Sequence, residues 1–157
     1  MDDTTKSIID AITVHHDKPV KLVSGHTCTV VYDTLLLTPN DLARLAAQAV
    51  GHLPNDAFDI ALGIAYEGIF FSAAVAGGRL GAILQIDSKI LGPAVKDKRV
   101  IIVDNVVFAG QHLYRAQEIV EHNGGQVVGY ACIVDRSNGA VGTAKRPLWS
   151  AYKSSMV

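Results

Sequence analysis

The chain has little cysteine, few aromatics and no excess of either charge. Cys28 and Cys132 are its only two cysteines, each inside an apolar stretch, so paired structural disulfides are not expected and a reducing cytoplasm is the expected setting. Aromatic residues make up 6% of the chain, and 14 basic residues nearly balance 15 acidic ones, for a formal net charge of -1. That charge supplies no basic field for a nucleic-acid backbone or an anionic membrane surface. Apolar runs stay well under the ~20 residues of a spanning helix. The start, Met1-Asp2-Asp3-Thr4-Thr5, is too acidic and polar for a secretory signal. Metal-ligand spacing is missing too: His15, His16, His26, His52, His112 and His122 fall into no zinc pattern with cysteine or carboxylate partners. There is no Gly-x-Gly-x-x-Gly and no phosphate-loop lysine; Ser24 lacks a nucleophile-elbow context, and both cysteines read as core residues.

What is present is a core. Of 157 residues, 49% are hydrophobic and 18% charged, which suits one folded domain spanning the chain, without repeat or linker. Helical spacing of Ile8, Ile9 and Ile12 predicts a helix over Thr4–His16 with Thr4 or Thr5 as cap, followed by extended pieces over Val20–Val23 and Cys28–Tyr32 around Ser24-Gly25. Thr38-Pro39-Asn40-Asp41 is a helix start, and Leu42, Leu45, Ala46 and Ala49 carry that helix to about Val50. Beyond it, short apolar runs alternate with helices. Strands are expected over Phe58–Ile64, Gly81–Ile86, Arg99–Val103, Gln126–Val134 and Pro147–Tyr152, with helices over Gly68–Ala76 and Gln111–His122. That alternation predicts an α/β domain built on a single doubly wound parallel sheet flanked by helices.

Ligands of such sheets bind outside the carboxyl ends of the strands. Two loops there carry chemistry. Gly63-Ile64-Ala65-Tyr66-Glu67-Gly68 could admit an anion through its glycines and the helix start behind it, or serve as a tight strand-to-helix turn. In the second, the buried strand ends on Asp104, a carboxylate that needs a partner; ribose hydroxyls or a magnesium-bound ligand would supply one, as would a neighbouring loop. The chain then enters a helix through Gly110, where free backbone N–H groups could hold a phosphate.

The run from Val100 to Leu113 resembles the signature of the type I phosphoribosyltransferases: a hydrophobic strand, two acidic residues, two hydrophobic residues and a threonine- and glycine-rich turn. Three further segments are similar to the orotate phosphoribosyltransferases. They are Leu22-Val23-Ser24-Gly25-His26 with Val31-Tyr32-Asp33, the Gly63–Gly68 loop, and Val134-Asp135-Arg136 with Ser137-Asn138-Gly139. The resemblance implies a phosphoribosyltransferase fold with a small N-terminal substrate hairpin. It also implies Mg²⁺-dependent transfer of ribose 5-phosphate from phosphoribosyl pyrophosphate to orotate or a related base, in pyrimidine nucleotide synthesis. Asp104 and Asn105 would hold the ribose, residues 63 to 68 the pyrophosphate, Gly110 to Leu113 the 5-phosphate and Arg136 the base, with Phe108, Ala109, Gly110, Gln111 and His112 of the turn and Ser24 of the hairpin among the ligand-binding residues. Mg²⁺ would arrive with the substrate, and the family implies a homodimer.

The chain departs from that pattern. Asn105 stands at the second acidic position, Phe108 and Ala109 replace two threonines, and Gln111 and His112 replace a glycine and a threonine. Only about a dozen residues, Asp87 to Lys98, stand where the family has a long lysine-rich lid. Lys89 is the candidate for a remnant of its catalytic lysine, while Lys96, Lys98 and Arg99 read as a solvated face. Two functions follow: a phosphoribosyltransferase, or a catalytically impaired paralogue that binds a nucleotide or anion as a sensor, or acts as a protein-interaction subunit.

Overall fold

The computed structural model describes residues 1–154. It opens with α1 (Asp3–Ile12) and an antiparallel hairpin of β1 (Thr13–Lys21) and β2 (Thr27–Tyr32). The helix is shorter than the expected Thr4–His16, and its cap is Asp2, whose carboxylate accepts from the Thr5 amide at 2.7 Å. It stops because Thr13 turns to extended backbone and its hydroxyl donates to the Ile9 carbonyl at 2.7 Å, opening a β-branched pair with Val14. His15 and His16 therefore lie on a strand. The start of that strand is masked in the sequence by exposed polar residues and by Pro19. A proline gives the ladder no N–H, and the register slips between His15 and Val20.

A 3₁₀ turn (Thr34–Leu36) leads to α2 (Pro39–Val50), where Thr38 and Asp41 form the reciprocal capping box their spacing predicts. Then follow β3 (Ile60–Ile64), α3 (Gly68–Ala76), β4 (Leu80–Leu84), β5 (Ile90–Leu91), β6 (Arg99–Val103), β7 (Val106–Val107), α4 (Gln111–His122), β8 (Gln126–Asp135) and β9 (Leu148–Lys153). The strands run in the order β5-β4-β3-β6-β8, with β7 and β9 also pairing with β8. Every pairing is parallel except β4 with β5. The expected doubly wound sheet is present, with β4 closing at Leu84 rather than Ile86. The unexpected antiparallel strand β5 lies inside the segment read as a plain connection.

Both faces of the sheet are covered, as its strand sequences require. Along β6, Val100 and Ile102 face one core with Leu113, Ala116 and Val120 of α4, while Ile101 and Val103 face the other with Leu45 of α2 and Phe71 of α3. Each of these fully buried side chains larger than alanine contributes about 1.5–3 kcal/mol of transfer free energy. Among the described residues, no helix is long and apolar enough to cross a membrane.

The amino ends of β3 and β6 are clamped together. The Asp59 carboxylate takes the Arg99 amide at 2.8 Å and its guanidinium at 2.9 Å and 3.2 Å, and the Asp59 amide donates to the Arg99 carbonyl at 2.8 Å. Arg99 is thus a partner across the sheet and not part of a solvated face. Its hydrogen bonds pull the Asp59 carboxyl from 3.8 down to about 2. A depressed carboxylate stabilises the fold above its ordinary value and loses that contribution as pH falls through the folded value. Between pH 3.8 and about 2 the melting temperature of the wild type should therefore fall more steeply than that of Asp59→Asn. Thermal melts followed by circular dichroism across that window check this, and parallel curves would refute it.

Candidate functional site

The sheet is interrupted where the chemistry is expected. β6 ends at Val103 and pairing with β8 resumes at β7, leaving Asp104 and Asn105 as a break in the ladder. The break is not left unsatisfied: the Asp104 amide donates to the Ala131 carbonyl at 3.0 Å, and the Asn105 carbonyl accepts from the Ile133 and Val134 amides at 2.9 Å and 3.1 Å. Both residues are buried, at 8% and 9% exposure. Asp104 Oδ1 accepts from the Asn105 amide at 2.8 Å, and Oδ2 stands 3.8 Å from Nδ1 of His112, a charge contact rather than a hydrogen bond. That carboxylate raises the His112 imidazolium above its ordinary value against a smaller opposing effect of burial. Asn105 Nδ2 donates to Thr34 Oγ1 at 3.1 Å and to Glu67 Oε2 at 2.8 Å.

The Gly63–Gly68 loop is packed against this break. A Cβ on Gly68 would lie 2.8 Å from the Val103 carbonyl oxygen and 3.2 Å from the Asp104 Cα, and one on Gly63 would meet Ser72 Cβ at 2.7 Å. Both glycines are thus required by close approach, and the loop joins Asp104 through Glu67 and Asn105. The peptide between Ala65 and Tyr66 is cis, and the Tyr66 side chain is exposed.

The turn Phe108–His112 enters α4 through Gly110 in the left-handed region (φ 80°), and no side chain caps the helix. Its first amides have no acceptor within the helix. Asp104, Phe108, Gly110, Gln111, His112 and Leu113 line one cleft, together with Val106, Val107 and Ser24 from the tip of the hairpin. Ala109 is an exposed neighbour in the same turn. Arg136 approaches from the end of β8 and is 2% exposed. Its Nη1 donates to the Val30 carbonyl at 2.6 Å, and the guanidinium lies 4.9 Å from the centre of the Phe108 ring, which is also stacked on His26.

Lys89 stands apart. It sits on the β4–β5 turn with Nζ 4.0 Å from Asp87, and it does not line the cleft. Thr34, which anchors Asn105, had no signal in the sequence.

Two outcomes test this arrangement. Gly68→Ala should push the loop off Asp104, destabilising the fold by about 1–3 kcal/mol and weakening any ligand held there; chemical denaturation and calorimetry measure the two effects. A cationic His112 attracts anions below imidazole's ordinary 6.5 and loses that attraction as pH rises through its elevated folded value. Affinity for inorganic phosphate should therefore fall with rising pH more in the wild type than in His112→Gln. Equal pH profiles would remove His112 from anion binding.

No protein-family model matches the chain. Curated orotate phosphoribosyltransferases are similar to it, among them the following three. That of Sulfurisphaera tokodaii is 35% identical over 117 residues, covering 68% of this chain and 60% of that protein. That of Coccidioides immitis is 33% identical, covering 81% and 71%, and that of Streptomyces avermitilis 30% identical, covering 89% and 87%. Among solved structures, Mycobacterium tuberculosis orotate phosphoribosyltransferase in complex with phosphoribosyl pyrophosphate superposes with a TM-score of 0.74 at 21% identity, over 96% of this chain and 94% of that one. The enzyme from Aeropyrum pernix gives 0.72 at 22% identity, over 95% and 93%. The structural likeness establishes the fold. Together with the sequence relatives that share at least 30% identity over more than two thirds of its length, it shows that the chain belongs to the orotate phosphoribosyltransferase family.

Proposed function

We propose that this protein binds phosphoribosyl pyrophosphate in the cleft at the amino end of α4 and across the neighbouring Gly63–Gly68 loop, which does not itself line that cleft, and transfers its ribose 5-phosphate to orotate or a related planar base. The carrying observation is the convergence of Asp104 with an uncapped helix start and the hairpin tip in one cleft. A buried carboxylate beside free backbone donors suits a ligand that offers hydroxyls at one end and a phosphate at the other. In this reading Asp104 and Asn105 hold the ribose hydroxyls. The amides of residues 110 to 113, with His112, hold the 5-phosphate. The 63–68 loop faces the pyrophosphate, and Arg136 faces the base. A ring nitrogen of the base attacks the ribose C1 and forms the C–N bond as the C1–O bond breaks; pyrophosphate leaves with the bonding electrons, and the ring N–H proton passes to it or to water.

Mg²⁺ would accompany the pyrophosphate. Asp104 is the one carboxylate lining the cleft, with Glu67 held beside it through Asn105. No group of three or more His, Cys, Asp or Glu able to hold a metal ion occurs among the described residues. Such a donor set fits an ion that keeps substrate oxygens and water around it rather than a caged one, and bound there it would offset the charge of the departing pyrophosphate.

A cytoplasmic homodimer is part of the proposal. Leu35, Leu36, Tyr66 and Phe70 are exposed apolar side chains on two segments that Asn105 ties together, which supports a partner surface near the cleft.

Calorimetric titration with phosphoribosyl pyrophosphate and Mg²⁺ tests the reading. Micromolar binding that Asp104→Ala weakens by at least about a hundredfold is expected, since a buried charge-assisted contact is lost. Absence of binding at millimolar ligand would overturn it.

A further inference from the structure

Two halves of the cleft meet at one ring. Phe108 belongs to the turn before α4, yet its side chain lies against the hairpin. It is stacked on His26, with centroids 4.6 Å apart and 16° between the planes. On Phe108, the Arg136 guanidinium carbon stands 4.9 Å from the ring centre, and it stands 5.4 Å from the ring centre of Tyr32. An aromatic side chain is thus held by both an imidazole and a guanidinium. Arg136 is 2% exposed, and its Nε has no hydrogen-bond partner among the described residues. A buried donor without an acceptor is costly, and a ligand bringing a carboxylate would relieve it. Phe108 itself is only half-buried, so it is free to leave at moderate cost.

We propose that Phe108 is a specificity-determining residue of this site: a built-in occupant of the slot beside His26 and Arg136 that a planar aromatic carboxylate displaces on binding. The proposal rests on the reading that the cleft takes such a base. A flat ring can restore the stacking that Phe108 gives up, whereas an aliphatic acid cannot. The carboxylate reaches the unpartnered Nε of Arg136. Because Phe108 is covalently part of the 108–112 turn, its displacement moves the same turn that faces the phosphate. Ring binding and phosphate binding are then energetically linked, each altering the other by the same factor.

The test uses the full chain with orotate as the probe. Phe108→Ala, which removes the competing ring, should bind orotate about tenfold more tightly than the wild type by calorimetry. Phe108→Leu, which keeps the apolar volume, should show a smaller gain and guards against a folding defect in the alanine variant. Fluorophenylalanine labelling gives four fluorine resonances, one for each Phe in the chain. The signal missing from Phe108→Leu identifies Phe108, and orotate should shift it in the wild type. If orotate binds all three proteins equally and leaves that signal in place, the displacement is wrong and the proposed transferase function stands. If orotate binds none of them while phosphoribosyl pyrophosphate still binds, both the displacement and the base assignment fall, and the phosphate half of the site survives.

Discussion

The break in the sheet beside the cleft depends on Asn105. Its carbonyl takes two amides of β8, and its side-chain amide bridges the hydroxyl of Thr34 and the carboxylate of Glu67. One buried residue thereby joins the sheet, the 3₁₀ turn after the hairpin and the loop before α3. The choice of an amide over an acid follows from the neighbour. A carboxylate at this position would face the Glu67 carboxylate at the 2.8 Å now spanned by a hydrogen bond, and two carboxylates that close resist ionising together. The asparagine and the glutamate are therefore complementary: the negative charge missing from position 105 stands at position 67, still beside Asp104.

Asp104 itself is held on both oxygens: Oδ1 accepts from the Asn105 amide, and Oδ2 stands 3.8 Å from the imidazole of His112. His112 in turn sits in the first turn of α4, where unpaired amides already concentrate positive potential. The cleft thus presents an acceptor and several donors within one helical turn of each other. That polarity suits a ligand with hydroxyls and a phosphate on one small ring.

Much of the fold was legible because its signals are local. α3, α4 and β6 fall at the expected residues, since glycines bound the helices and an uninterrupted β-branched run makes the strand. β1 was only partly visible, because Pro19 and a solvated face erase its alternation, and two-residue strands such as β5 and β7 are too short to carry any. The site divides in the same way. Asp104, the Gly110 entry to α4 and the hairpin serine do converge. The stack of Phe108 with His26 and Arg136, and the tie from Asn105 to Thr34, join residues from opposite ends of the chain, and no spacing in the sequence encodes them. Lys89 could be read only as a remnant of an absent lid pattern, and its Nζ stands 4.0 Å from Asp87 of its own turn, outside the cleft.

The segment Asp87–Lys98 shows what replaces that lid. β5 pairs with β4 and covers the edge of the sheet, and Ser88 accepts a hydrogen bond from Arg115 of α4. Val95 is buried in the core beneath α4, and the Asp97 amide donates to the Gly124 carbonyl at 3.0 Å. A segment anchored at both ends in this way is a wall of the domain, and swinging it over the cleft would break each of those contacts. Cover from within the chain comes from the other flank, where Ser24 lines the cleft and His26 rests on Phe108. In the proposed reaction, water exclusion therefore falls to the N-terminal hairpin and to the base that takes the place of Phe108 beside it.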